Sequence, residues 1–344
     1  MTSNFTLLPT YATIYLAALA HNLSQIKRYL SPDCDIMAVV KANAYGHGAV
    51  ETAQALSHQG IERFAVASLD EGITLRHADL SASIIVLGAP LEEQVPDLVA
   101  YRLTPVVSDG LILPSLAKAA RSQPAPYPIH LKLETGMGRL GLSPEELLSV
   151  LDDPILRGPL HIEGLMTHLA DADGTDSAFT ERQLGLFRSM VEQIQQRGLT
   201  IPLLHTANSA AIVRFPDTHF SLVRAGIMLY GYHTLPPSIP APDLKPVLSL
   251  QSTIVQLRSI PRGGTVSYNG TFVAKRPTRI AVLPIGYADG YSRRLSHRAS
   301  VLIQGRRAPI IGLVCMDMIM IDVTDFGPVQ VRETVTLIRQ QGQE

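Results

Sequence analysis

The chain has no tryptophan and only two cysteines, Cys34 and Cys315. Two thiols cannot build the disulfide framework of a small secreted domain, and they suit a reducing compartment. No Cys or His with suitable spacing joins Cys315, so no metal site is expected. Charge of one sign is missing too. Twenty-nine basic against thirty acidic side chains leave a net charge of −1, which excludes the electrostatic footprint of a nucleic-acid binder. Long apolar runs are absent: none approaches the roughly 20 residues that span a bilayer. The opening MTSNFTLLPTYATIYLAALA is partly apolar but lacks a basic start, and Pro9, Tyr11 and Thr13 interrupt it, so it does not read as a secretory signal. The expectation is a cytoplasmic protein with no membrane and no nucleic-acid partner. Apolar residues are plentiful, 46% against 17% charged over 344 residues, enough for a large barrel with a smaller partner domain.

Short β-branched runs alternate with helix-like stretches between about residues 34 and 231. The spacing predicts strands at Ile36–Lys41, Arg63–Ala67, Ser83–Leu87, Leu103–Val107, Ile129–Glu134, Ile162–His168, Leu203–Asn208 and Leu222–Tyr230. Gly48–Gln59, Leu91–Tyr101, Pro144–Leu151 and Thr180–Arg197 carry apolar residues near helical spacing. Eight strands with helical returns predict parallel pairing and a (β/α)8 TIM-type barrel, the open doubly wound sheet being the alternative. At Leu235–Pro246 the texture changes to a proline-rich connector. Beyond it come strands without helices, Ser249–Ile260, Thr265–Val273, Arg279–Pro284, Ser300–Ile303 and Met318–Val323, punctuated by Gly263-Gly264, Asn269-Gly270 and Asp289-Gly290. The expected division is a barrel over residues 1–240 and a mostly antiparallel β domain over 241–344.

Reactive groups of a parallel barrel collect where its strands end. Lys41, Lys132, His168, Asn208 and Arg224 stand at or near such ends. A lysine at the mouth of a hydrophobic strand is partly desolvated, which favours the free amine that condenses with an aldehyde. An anion site then has to come from elsewhere in the chain. His205-Thr-Ala-Asn208-Ser209-Ala and Arg224-Ala-Gly226-Ile227 offer a hydroxyl and backbone N–H groups for it. A Gly-Lys-Ser/Thr phosphate loop is absent, so no nucleotide is implied.

The strings VVKANAYGHG (39–48), LKLETGMGRLG (131–141), HTANSA (205–210), VRAGIMLYG (223–231), VSYNGTF (266–272), IGYADG (285–290) and GLVCMDM (312–318) resemble, in order and spacing, the alanine racemase family. The resemblance implies a barrel, a C-terminal β domain, a head-to-tail homodimer, pyridoxal 5'-phosphate as cofactor, and the interconversion of L- and D-alanine that supplies D-alanine for peptidoglycan. It implies Lys41 as the Schiff-base lysine and one acid–base group, and Tyr268, from the partner subunit, as the other. Tyr45, Ser209, Gly226 and Ile227 correspond to phosphate contacts, and Asn208 belongs to the same motif. Arg224 matches the arginine facing the pyridine nitrogen, with His168 near the ring and His205 supporting Arg224. Arg139 and the backbone N–H of Met316 correspond to substrate-carboxylate contacts, Met316 again across the dimer interface. Tyr287 resembles an entry-corridor residue, and Lys132 a position often carbamylated.

Two departures stand out. Asn269 and Phe272 occupy positions where the family more often has Gly and Tyr. The family also usually continues for some 30 residues beyond TLIRQQGQE, with a further phosphate-binding tyrosine, so the expectation is that either the sequence is truncated or that contact is lost. Two other readings share the barrel and its lysine. A cofactor-carrier protein lacks the β domain that brings Tyr268, and a barrel decarboxylase places a carboxylate, not Arg224, at the ring nitrogen.

Overall fold

The computed structural model describes residues 8–338. The expectation concerning the chain's last residues lies outside them. Contacts divide the chain into two compact units, one formed by residues 16–247 and the other by residues 1–15 with 248–344.

The larger unit is the barrel. Its strands are β2 (Asp35–Val39), β3 (Arg63–Val66), β4 (Ser83–Val86), β5 (Thr104–Val107), β6 (Tyr127–Lys132), β7 (Leu160–Met166), β8 (Leu203–His205) and β9 (Leu222–Ala225), β1 belonging to the other unit. All pairings between them are parallel, in the order β8-β7-β6-β5-β4-β3-β2-β9. The ring is closed between β8 and β9 by single bonds, among them Arg224 N–H to the Ala207 carbonyl at 3.0 Å. Met37, Val39, Ala65, Ile85, Val106, Met166, Leu203 and Leu222 form one buried cluster. It draws on seven of the eight strands, so it lies inside the barrel, as the filled interior of this fold requires. The strand left out is β6. Its residue aligned with Val106 is His130, a polar group where the others supply apolar ones.

All eight expected barrel strands form, but the polar residues at their C-terminal ends lie in the loops. Lys41, Glu134, His168, Asn208 and Tyr230 all fall outside strands. Apolar burial runs on past several strand ends, as at Val40, Leu133 and Met228, so burial alone does not mark where the ladder stops. The named helices form as Ala49–Ser57, Val95–Ala100, Pro144–Asp152 and Ala178–Gln196. Ser143 caps the third with a reciprocal bond to Glu146.

The smaller unit is an antiparallel eight-stranded sheet beside a two-stranded hairpin. Here the expected boundaries need correction. The chain's opening does not belong with the barrel: β1 (Thr10–Ile14) pairs with β10 (Leu248–Thr253), from Thr10 opposite Ser252 to Ile14 opposite Leu248. Five residues of mild alternation with no turn before them gave no sign of this partner. The division also falls at 247/248, not 240/241, because the connector is tied to the barrel. Asn22 bonds both the carbonyl and the N–H of Lys245, at 2.8 and 2.7 Å, and Val247 N–H reaches the Tyr230 carbonyl.

Ser249–Ile260 is two strands, β10 and β11 (Gln256–Ile260), and Thr265–Val273 is the hairpin β12 (Thr265–Val266) and β13 (Phe272–Val273). Strands β14 (Thr278–Leu283), β15 (Ser300–Ile303) and β17 (Ile319–Asp322) lie close to their expected places. Two further strands, β16 (Arg306–Ile311) and β18 (Thr334–Ile338), were not anticipated. Arg306 and Arg307 on the first and Thr334 and Thr336 on the second dilute the apolar pattern. Both nevertheless bury Ala308, Ile310 and Val335 in the unit's core.

Candidate active site

A cavity at the C-terminal mouth of the barrel is lined by Lys41, Tyr45, Lys132, Arg139, His168, Asn208, Ser209, Arg224, Gly226 and Ile227. Ten of the residues singled out in the sequence are thus brought together by seven loops and strand ends. Apolar Val39, Leu87 and Met166 and polar Asp173 and Thr234 also line it.

Lys41 opens a segment of unusual backbone. Ala42, Asn43, Ala44 and Tyr45 have φ between 52° and 55° and ψ between 35° and 51°. This is a left-handed turn made of four non-glycine residues, a conformation costing roughly 1–2 kcal/mol per L-residue. Several bonds hold it. Glu71 accepts from Ala42 N–H and Ala67 N–H, each at 2.7 Å, and so ties the ends of β2 and β3 together. Asn43 Oδ1 accepts from Ala49 N–H at 2.8 Å. The buried Tyr230 ring packs on Tyr45 and His47 at 4.8 and 4.7 Å between centroids, with its hydroxyl on the Val39 carbonyl. Strain held this firmly is characteristic of functional sites. Its product is the placement of Lys41 and the Tyr45 hydroxyl on one cavity.

At one end of the cavity the donors suit an anion. Ser209 Oγ accepts from Gly226 N–H at 3.0 Å, leaving its own proton free to donate outward. A Cβ built on Gly226 would lie 2.9 Å from the Tyr45 hydroxyl and 3.7 Å from that of Ser209. Glycine therefore leaves a cradle between two hydroxyls that any side chain would fill. Asn208 caps the helix Ser209–Arg214 through Ala211 N–H and donates to the Leu169 carbonyl, so its amide is committed to shaping the loop.

Apart from the exposed Asp173, the remaining charge lining the cavity is cationic. Arg224 is 3% exposed. Its Nη1 donates to His205 Nδ1 and the His205 carbonyl, and its Nη2 to the carbonyls of Thr167 and Thr206 and to His168 Nδ1 at 3.3 Å. Nε takes part in none of these bonds. Burial lowers Arg224 to about 10, still cationic at neutral pH. Burial, then Arg224 and Arg139, pushes His168 down to about 3, and burial with His130 and Arg224 holds His205 well below its usual value. Both imidazoles are neutral. Lys132 falls to about 8 through burial, with Arg139 and Arg224 adding repulsion. Glu134 organises the loop carrying Arg139, accepting from the N–H groups of Gly136, Gly138 and Arg139. Burial pushes its carboxyl up, and these bonds more than offset that. Arg139 itself is exposed.

Tyr268, Tyr287 and Met316 belong to the smaller unit and form a second group. They are 62%, 46% and 59% exposed. Tyr287 N–H donates to the Cys315 carbonyl and Ala288 N–H to that of Met316, while Ser267 Oγ lies 3.5 Å from Cys315 Sγ. The turns bearing the three residues are thus joined around Cys315. Asn269 has φ 62°, the left-handed region where glycine is ordinary and asparagine the best tolerated substitute, so the departure beside Tyr268 preserves the turn.

Sequence reading missed Glu71, Glu134, His130 and Glu163. The signal available for His130 was a polar residue at an inward position of an otherwise apolar strand. Among the described residues no group of three or more His, Cys, Asp or Glu could hold a metal, and no helix is long and apolar enough to cross a membrane.

Two family models match the chain: alanine racemase, N-terminal domain, over residues 14–234, and alanine racemase, C-terminal domain, over 247–344. The alanine racemase of Halothermothrix orenii is 43% identical over 97% of this chain and 88% of its own length. That of Carboxydothermus hydrogenoformans is 42% identical over 98% and 91%. Among solved structures, the alanine racemase of Clostridium difficile 630 superimposes with a TM-score of 0.93 at 32% identity, over 98% of this chain and 88% of that one. The Bartonella henselae alanine racemase with covalently bound pyridoxal phosphate gives 0.86 at 30% identity, over 96% and 91%.

Proposed function

This chain belongs to the alanine racemase family of pyridoxal-phosphate-dependent amino-acid racemases, and from that premise we propose that it interconverts L- and D-alanine by two-base proton transfer. The observation that carries the proposal is the cavity at the barrel mouth. It joins the side chain of Lys41, a glycine-lined cradle between two hydroxyls, and a buried guanidinium. These are the donors a phosphorylated pyridine aldehyde needs at its aldehyde, its phosphate and its ring nitrogen.

When bound, the cofactor supplies the electron sink that acidifies the substrate Cα–H. Lys41 anchors it and holds a proton on one face of the substrate. Inversion requires a second acid–base group on the opposite face, since a single group returns the proton to the side it came from. Tyr268 of the partner subunit fills that role in a head-to-tail homodimer, and its exposure suits a side chain delivered to another copy. Tyr45, Ser209 and Gly226 hold the phosphate. Arg224, a buried cation bonded to backbone carbonyls and histidine nitrogens, disfavours protonation of the ring nitrogen and restrains full delocalisation, which limits side reactions. Arg139 and the Met316 N–H orient the substrate carboxylate. Lys132 stands among Arg139, Arg224 and Lys41. A neutral amine there is a competent nucleophile towards carbon dioxide, and the resulting carbamate would replace like-charge repulsion by attraction. D-Alanine formed in this way would serve peptidoglycan synthesis.

Purified protein loaded with pyridoxal 5'-phosphate, reduced with borohydride and digested, is expected to carry the pyridoxyl group on the peptide containing Lys41. Polarimetry should show racemisation from either enantiomer. Tyr268→Phe should retain the adduct but lose racemisation by at least about 100-fold. Label on another peptide, or near-normal turnover by Tyr268→Phe, would refute the assignment.

A further inference from the structure

Arg224 is a buried cation without a direct counter-ion: among the described residues it forms no salt bridge. Burying an uncompensated charge is expensive. Its hydrogen bonds lead, however, to a carboxylate three bonds away. Arg224 Nη1 meets His205 Nδ1 at 3.0 Å, His205 Nε2 meets His130 Nδ1 at 2.9 Å, and His130 Nε2 meets Glu163 Oε2 at 3.1 Å. Both histidines are fully buried, and Glu163 is 27% exposed at its side chain.

The chemistry of the two ends fixes every proton between them. A guanidinium only donates, so His205 Nδ1 accepts and its proton sits on Nε2. That proton is given to His130 Nδ1, which places the His130 proton on Nε2, facing a carboxylate that only accepts. The chain therefore runs in one sense from cation to anion through two neutral imidazoles. Three features of the fold make room for it. His130 occupies the inward place that is apolar on the other strands. The β6–β7 register shifts between Ile129 and His130. The residue opposite is Gly164, where a Cβ would come within 2.5 Å of the His130 ring.

We propose that Glu163 and His130 are positioning residues for Arg224: the carboxylate sets both histidine tautomers, and these hold the guanidinium in the orientation that leaves Nε unbonded. The bond from His130 also keeps the Glu163 carboxyl below its usual range despite burial. The effect on turnover rests on the cofactor reading above; the tautomers do not.

The test is ¹⁵N NMR of histidine-labelled protein loaded with pyridoxal 5'-phosphate, with steady-state kinetics on the same samples. In the wild type His130 and His205 should both show the neutral Nε2–H pattern, and an Nδ1–H tautomer at either overturns the proposal without recourse to any variant. Glu163→Leu, which removes the acceptor, should shift the signals of His205 two links away and lower kcat about tenfold with KM within about twofold. Glu163→Gln retains an acceptor and should keep both tautomers and stay within about threefold of wild-type kcat. Unchanged His205 signals in Glu163→Leu, or altered tautomers with unchanged kcat, would overturn it. Wild-type protein that racemises nothing yet shows both Nε2–H tautomers would support the chain and refute the functional reading instead.

Discussion

Lys132 is the residue whose chemistry is set most visibly by its surroundings. It is 4% exposed at the end of β6, and its folded-state value of about 8 lies below the ordinary 10.5. Between these values the unfolded chain binds a proton that the folded chain releases. Stability therefore rises with pH from about 8 to about 10.5, with a slope reaching about 1.4 kcal/mol per pH unit for one proton. Below about pH 8 the destabilisation is present in full. Lys132→Met should remove that slope, read from denaturant midpoints at several pH values in carbonate-free buffer; an unchanged slope would assign it to another group. Much at this scale was legible in the sequence, because Lys41, Ser209 and Arg224 are reactive types beside glycines and strand ends. Glu71 and Glu163 were not. Each acts through backbone or ring atoms distant in the chain, and a carboxylate in an ordinary helix or strand gives no sign of what it will face.

Among the elements, the turn after β2 departs furthest from expectation. Periodicity located the strand, but nothing in Ala-Asn-Ala-Tyr announces four successive left-handed residues; only Asn43 favours that region. The conformation is imposed by Glu71 and by the Tyr230 ring, contacts no local rule contains. Ala42 is exposed and its φ is 52°, so Ala42→Gly relieves steric cost without opening a cavity. It should stabilise the protein by about 1 kcal/mol in denaturant unfolding. A loss of stability would show that the methyl group is needed there. The smaller unit's strands were read with the wrong ends for a related reason. Strands of two to six residues bounded by bulges and turns carry too few positions for alternation to fix their limits.

For the whole molecule, a balanced composition conceals an uneven one. Residues 248–344 carry twelve Lys or Arg against six Asp or Glu, while residues 1–247 carry seventeen against twenty-four. The two parts have opposite net charge, and the head-to-tail dimer proposed above would bring the β domain of one copy to the barrel of the other. Assembly should weaken as salt rises from about 0.05 to about 0.5 M, where screening shortens to a few ångströms. Sedimentation velocity at both salts checks this, and a dimer indifferent to salt would assign assembly to apolar burial.

The pairing of β1 with β10 also sets a timetable. Thr10–Ile14 leaves the ribosome early, but its partner Leu248–Thr253 follows only after the entire barrel sequence. At roughly 5–20 residues per second, about 230 intervening residues take on the order of 10–50 s. For that interval β1 has both edges unpaired, while the barrel sequence is still being made behind it. The smaller unit is thus begun before the barrel and finished after it. A chaperone that binds short extended segments would have its longest opportunity at residues 10–14.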